Sequence, residues 1–333
     1  MRWFIWAASF LCAVLLVGGT AAAIWCVNTY RAPGPITQEA SFIVARGQGL
    51  ATVAENLERE GMIDSALLFR AAARVTQADK GVHAGEYAIP PYASMAMILD
   101  KMVKGEVVQR KITVREGLTS WQVVKLVKQA PGLEGEITEM PREGTLLPET
   151  YHYLLGDKRA DIILKMQNDM TKTIAELWPL RQENLPIKTE KEAVILAAIV
   201  EKETGVAEER ARVAGVFINR LRIGMPLQSD PTVIYAMTGG LVQDEGQGPI
   251  GRRLLSADMQ FDSPFNTYKY PGLPPAPIAN PGRASIEAVL NPEAHEYLYF
   301  VADTTGGHAF GKTLAEHNAN VAKWRAFRKQ SGN

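Results

Sequence analysis

Cysteine is nearly missing from this chain, and so is any surplus of charge. Its 333 residues include only Cys12 and Cys26, both inside an apolar N-terminal run, so nothing beyond them can form a disulfide. A fold without disulfides suits an oxidising or a reducing compartment alike. Lysine and arginine number 36 and aspartate and glutamate 36, a formal net charge of +0. That balance argues against a nucleic-acid binder held by phosphate contacts. Of the 5 histidines, His308 and His317 lack the partner cysteine or the H-x-x-x-H spacing of a metal centre. No metal or cofactor is expected, and both imidazoles are assigned to structural hydrogen bonding.

Charge is also missing from Trp3 to Val27, a run that at about 1.5 Å per residue crosses a hydrocarbon core of about 30 Å. Arg2 precedes it and Arg31 follows. Residues 1–30 are therefore expected to form a single-pass membrane anchor with its start in the cytoplasm. A cleavable signal ending near the small residues 20–23 is the alternative, against which the apolar run continues through Cys26 and Val27. Residues 31–40 form a Pro/Gly linker. Length leaves room for two or three domains.

From residue 41 to about 140 the chain repeats a short phrase. Strands at 41–44, 85–89 and 111–114 are each followed by a glycine or proline turn and a helix, at 50–57, 95–103 and 121–127. Small α/β units of this kind between an anchor and a catalytic region look like LysM-like modules that hold glycan chains, with a plain spacer as the alternative. The remainder, 141–330, is assigned to a catalytic domain. Within it Pro148 ends one element, Tyr151 and Tyr153 are spaced to share one side of an extended chain, and a helix is expected over 160–177.

The catalytic region centres on 189–205, TEKEAVILAAIVEKETG. Thr189 followed by Glu192 is a capping box, Gly205 closes the helix, and the unbroken apolar run 193–200 places it inside the domain. Two acids end it. At about 100° per residue Glu201 and Glu203 point apart, so one of them is expected to work alone. Glu201 stacks over Val194, Ala197 and Ala198, a face with room for a visitor, and Glu203 over bulkier residues. A carboxyl in apolar surroundings near a helix C-terminus resists ionising, which suits a general acid. A buried glutamate neutralised by Lys202, Arg210 or Arg212 is the bland alternative.

A further helix is expected over 207–222, carrying Asn219 and Arg220. In LQSDP, residues 227–231, Gln228 and Asp230 either bind hydroxyls or position Glu201, unless Ser229 or Asp230 simply caps the next helix. SPFNTYKY, 263–270, places aromatic rings beside hydroxyl and amide groups, a mixture suited to carbohydrate. Five prolines in 271–282 are expected to hold a stiff loop that presents its backbone. A buried strand over 297–301 and a turn at 306–310 follow.

The ordered motifs IVEKETG, VFINRL, LQSDPTVIYA, SPFNTY, GLPPAPIANPG, YLYFVAD, GGHAF and EHN, with EGTLLPETY upstream, resemble the YceG-like family of endolytic murein transglycosylases. Phe265 departs from the tyrosine usual there, which removes a hydroxyl contact. The resemblance implies an inner-membrane protein facing the periplasm that cuts peptidoglycan glycan strands internally. In such enzymes one acid protonates the oxygen leaving MurNAc, and the sugar's C6 hydroxyl closes on C1 to leave a 1,6-anhydro end. It matches the acid to Glu201. Gln228, Asp230, Ser263, Asn266 and Tyr268 are expected to form the substrate-facing shell, with Asn219 as a positioning residue and Glu203 as a positioning residue or the alternative acid. Implied partners are glycan strands and the penicillin-binding proteins that synthesise them, with no nucleic acid. A muramidase acting on the same bond and a non-catalytic glycan-binding scaffold are the competing readings. The expected fold is α+β: a transmembrane helix, LysM-like α/β modules, then a mixed α/β catalytic domain with a buried catalytic helix.

Overall fold

A computed structural model describes residues 2–78, 80–241 and 249–330. Its first element, α1 (Arg2–Arg31), includes the one helix among the described residues that is long and apolar enough to cross a membrane, over Trp3–Arg31 with mean hydropathy 2.3. The chain divides by contacts into two compact units, residues 1–110 with 154–156 and residues 111–153 with 157–333.

In the first unit the order after α1 is β1 (Ala40–Val44), α2 (Leu50–Arg59), α3 (Ala66–Val75), β2 (Gly85–Ile89) and α4 (Met95–Lys104). β1 and β2 pair antiparallel with Phe42 opposite Tyr87. Alternation puts Phe42, Val44, Tyr87 and Ile89 on one face, where they meet Val53, Leu57, Phe69 and Ile98 in a single core. α3 was not expected from the sequence. Its signals are present: the Ser65 hydroxyl accepts from the Leu68 N–H at 3.2 Å as an N-cap, and Ala66, Phe69 and Ala73 fall at helical spacing.

The second unit contains the motifs of the catalytic region and two cores. β3 (Arg110–Thr113) pairs with β4 (Thr150–Tyr153), and α5 (Ser120–Gln129) and α6 (Arg159–Leu177) cover Ile112, Val114, Tyr151 and Tyr153. Both tyrosines are buried, as their period-two spacing requires. The third of the expected strand–turn–helix phrases, β3 with α5, lies in this unit, so the region 41–140 takes in most of unit one and the start of unit two.

Around the second core run α7 (Glu190–Glu203), α8 (Arg210–Arg222), α9 (Asp230–Thr238) and α10 (Arg283–Leu290), followed by β5 (Tyr299–Ala302), β6 (His308–Gly311) and α11 (Leu314–Gln330). α7 begins at the Thr189–Glu192 capping box, with both reciprocal bonds made, and every residue from Ala193 to Val200 is buried. Burying each of its large aliphatic side chains contributes about 1.5–3 kcal/mol, which holds α7 between α8 and α10. Where a turn was expected, His308–Gly311 forms a strand antiparallel to β5, with Phe300 opposite Phe310, and β5 is half-buried rather than buried.

The stretch 271–282 also differs from expectation. Instead of presenting a stiff loop to solvent, Pro277 to Gly282 is buried without a break. Asn280 explains this: it is 0% exposed, its side-chain oxygen accepts from the Leu146 N–H at 3.0 Å, and its amide donates to the Leu118 carbonyl and the Ser120 hydroxyl, both at 3.1 Å. Gly144 lets the chain pass beside this loop. It has φ +75°, and a Cβ there would meet the Pro277 ring at 2.6 Å and Val194 at 2.8 Å.

Candidate active site

The two acids at the end of α7 face different surroundings. Glu201 lines a cleft of about 560 Å³ with Arg115, Glu116 and Arg210, and both its oxygens are engaged. Its side chain is 6% exposed, Oε2 accepts from the Gly282 N–H at 2.9 Å, and Oε1 lies 3.9 Å from the Arg210 guanidinium. The same guanidinium reaches Glu116 at 4.0 Å. Glu116 packs so closely on Gly282 that a Cβ there would fall 2.0 Å from its Oε1. Burial, and then the neighbouring Glu201, push the Glu116 carboxyl up. Glu201 thus ties the end of α7 to the buried 277–282 segment, a connection that residue spacing cannot reveal.

Glu203 faces the residues expected to read the substrate. The Ser229 hydroxyl donates to its Oε1 at 2.5 Å. Burial pushes the Glu203 carboxyl up to about 7, and the nearby Asp230 charge adds to this, while the Ser229 bond, His308 and Arg220 pull the other way. Ser229 occupies the N-cap of α9, yet its side chain makes no capping bond, because its hydroxyl serves Glu203. Its backbone is held instead by Thr267, whose hydroxyl accepts from the Ser229 N–H at 3.0 Å and shares a 2.8 Å bond with the Thr232 hydroxyl. Ser229, Thr232 and Thr267 are all buried.

Beside this carboxyl the Tyr268 hydroxyl donates to Asp230 Oδ1 at 2.6 Å, and burial raises the phenol's pKa above its ordinary value, with the Asp230 bond acting in the same direction. Gln228 is exposed and left-handed at φ +51°, an uncommon conformation for a residue with a side chain. The buried Arg220 and Thr267 enforce it: Arg220 donates to the Leu227 carbonyl at 2.7 Å, and the Gln228 N–H donates to the Thr267 carbonyl at 3.1 Å. Sequence reasoning did not single out Arg220, Thr232 or Thr267 for this work. The His308 imidazole pairs with Glu209 at 2.7 Å, a hydrogen-bonded histidine as expected.

Three expected site residues have other attachments. Asn266 is 0% exposed, and both its amide protons are committed to backbone carbonyls, of Met259 at 2.9 Å and Phe261 at 2.8 Å. Its oxygen accepts from the Tyr268 N–H at 3.0 Å, so it shapes the loop from inside and has no free edge for a sugar. Ser263 is half-buried and its hydroxyl accepts from the Phe265 N–H at 3.3 Å. Asn219 donates to the carbonyls of His295 at 2.8 Å and Tyr297 at 3.1 Å, which fixes the approach to β5. Phe265 packs its ring 4.9 Å from Tyr235, a contact that needs no hydroxyl.

A half-buried carboxyl protonated near neutrality, next to a second carboxylate and a tyrosine, can act as a general acid on a bound ether oxygen. Known proteins share this chain's arrangement over most of its length. An endolytic murein transglycosylase of Bacillus subtilis is 30% identical over 312 residues, spanning 84% of this chain and 83% of the relative. One from Streptococcus pneumoniae is 27% identical over 329 residues, and there the match spans 84% of this chain but 57% of the longer relative. A crystal structure of a yceG-like protein from Listeria monocytogenes superposes with a TM-score of 0.51 at 29% identity, covering 85% of this chain and 99% of that one. Residues 42–323 match the YceG-like family as a whole, and this chain belongs to that family.

Proposed function

We infer that this chain is an endolytic murein transglycosylase, a lyase that cuts peptidoglycan glycan strands, as its curated relatives are named. The observation that carries the chemistry is the Glu203 carboxyl, protonated up to about pH 7 and bonded to Ser229 beside Asp230 and Tyr268. What supports Glu203 as the acid, in place of the expected Glu201, is that Asp230 and Tyr268 gather around Glu203. Glu201 is occupied by Gly282 and Arg210. In the proposed reaction Glu203 gives its proton to the glycosidic oxygen as the bond from C1 of MurNAc breaks. The C6 hydroxyl of the same sugar bonds to C1 and returns its proton to Glu203, closing a 1,6-anhydro ring with no water consumed. Asp230, oriented by Tyr268, stabilises positive charge building at C1, and the exposed Gln228 offers an amide to sugar hydroxyls.

The proximity of Asp230 to Glu203 also fits a second reading, in which Asp230 activates water and the enzyme hydrolyses the same bond. Mass spectrometry of fragments released from purified peptidoglycan by the full-length protein distinguishes the two. Anhydro-ended internal fragments are expected. Reducing ends mean hydrolysis, and bound strands without fragments mean a scaffold.

The remaining assignments belong to the same proposal. Residues 1–30 anchor the protein in the inner membrane with its start in the cytoplasm, 31–40 are the linker, 41–140 hold glycan in a LysM-like manner, and 141–330 cut it in the periplasm. The strand–helix–helix–strand order of β1 to β2, with its antiparallel pairing, supports the LysM-like part. Penicillin-binding proteins that make the strands are the proposed partners.

A further inference from the structure

A cleft of about 420 Å³ lies between the end of α7, the segment before α5 and α9. Its walls include Lys202 from α7, Arg115 and Leu118 from the segment before α5, and Pro231, Ile234 and Tyr235 from α9. Two of its lining residues are next in sequence to active-site residues. Lys202 adjoins Glu203 and Pro231 adjoins Asp230, and consecutive Cα atoms are about 3.8 Å apart. The cleft therefore lies close beside the active site.

Its chemistry differs from that of a sugar platform. Tyr235 is the one aromatic ring among its described lining residues, and that ring is already packed on Phe265. What the cleft offers is an aliphatic wall with two cations at its edge. The Lys202 amine, one of whose three protons goes to the Gly117 carbonyl at 3.2 Å, is pushed down by burial, and Arg115 is exposed. Glu116 also lines the cleft, and the Arg210 guanidinium 4.0 Å from its carboxylate offsets part of its repulsion of anions. Small apolar groups and free carboxylates on one flexible chain satisfy this cleft better than a pyranose does.

We propose that the cleft binds the short acidic stem peptide that murein carries on its muramic sugar, with Lys202 and Arg115 pairing its carboxylates. This rests on the reading of the chain as a murein transglycosylase. Three peptide residues extended from the sugar held at Glu203 reach about 10 Å, enough to enter a compartment one residue away along both α7 and α9. Recognition here would make the enzyme prefer strands that still bear peptides.

The test compares uncrosslinked glycan strands bearing their stem peptides with the same strands after an amidase has removed them. The full-length protein and its Lys202→Ala and Arg115→Ala forms are each assayed for anhydro ends. The expected result is a wild-type kcat/KM higher on peptide-bearing strands and a ratio between the two substrates that falls about tenfold in either variant. Arg115 is exposed and distant in sequence from α7, so it reports even where Lys202→Ala disturbs folding. A ratio unchanged by both substitutions, whether or not the rates themselves fall, overturns the cleft assignment and leaves the transglycosylase reading intact. No anhydro ends from the wild type on either substrate overturns both.

Discussion

Ser229 sits at the N-cap of α9 and gives its hydroxyl to Glu203 at 2.5 Å instead of to its own helix. An N-cap bond is commonly worth about 1 kcal/mol, so forgoing it marks the position as one built for the carboxyl. The hydrogen bond to Ser229 lowers a Glu203 pKa that burial has raised to about 7.

From this follows a pH profile. The proton donor is lost as Glu203 ionises, so kcat/KM should fall as pH rises through about 7. Replacing Ser229 by Ala removes a contact that favours the charged form, so the alkaline limb should move to higher pH. A limb that stays in place, or moves down, contradicts the role given to Ser229.

The same carboxyl should govern stability. Glu203 has its folded pKa raised from 4.5 to about 7, so below about 4.5 it is protonated in both states and costs nothing. Between 4.5 and 7 the unfolded chain releases a proton that the native state keeps, and stability falls as pH rises. At about 1.36 kcal/mol per unit the loss is at most about 3 kcal/mol, complete above pH 7. Glu203→Gln does not carry this penalty and keeps Glu143, whose carboxyl burial also pushes up to about 7. Thermal unfolding should therefore show the variant gaining on the wild type between pH 4.5 and 8, and parallel curves would refute it.

Asn280 ties the proline-rich segment to Leu118, Ser120 and Leu146 from a fully buried position. Asn280→Ala leaves those partners unsatisfied and should cost about 2–4 kcal/mol, seen as a lower denaturation midpoint with an unchanged slope. A loss under about 0.5 kcal/mol would mean that the loop is held by packing alone.

The helical part of the catalytic region was legible because its signals are local. Thr189, Glu192 and an eight-residue apolar run specify the start and course of α7, which ends at Glu203 with Thr204 as its C-cap instead of at Gly205, and period-two spacing places Tyr151 and Tyr153 on one buried face. Composition also showed that 271–282 is stiff. It could not show that the segment is buried, since that depends on Asn280 meeting residues 118 to 146 across the fold. The partners of the two acids were hidden for the same reason. Helical spacing put Glu201 and Glu203 on different faces, as the structure has them, but the occupants of those faces come from Gly282, Arg210 and Ser229, far along the chain. Asn266 looks available in sequence as a polar residue of an aromatic loop, and only the fold shows its amide bonded to Met259 and Phe261.

The central claim is that Glu203, not Glu201, supplies the proton, and side-by-side rates of Glu203→Gln and Glu201→Gln on purified peptidoglycan test it most directly. Each protein is first shown to be folded by its unfolding transition. The account predicts a fall of about 10²–10⁴-fold or more in anhydro ends for Glu203→Gln. Glu201→Gln should stay within about tenfold of wild type, with a lowered melting temperature because its bonds to Gly282 and Arg210 are weakened. Near wild-type rates in folded Glu203→Gln, with Glu201→Gln inactive, would contradict it.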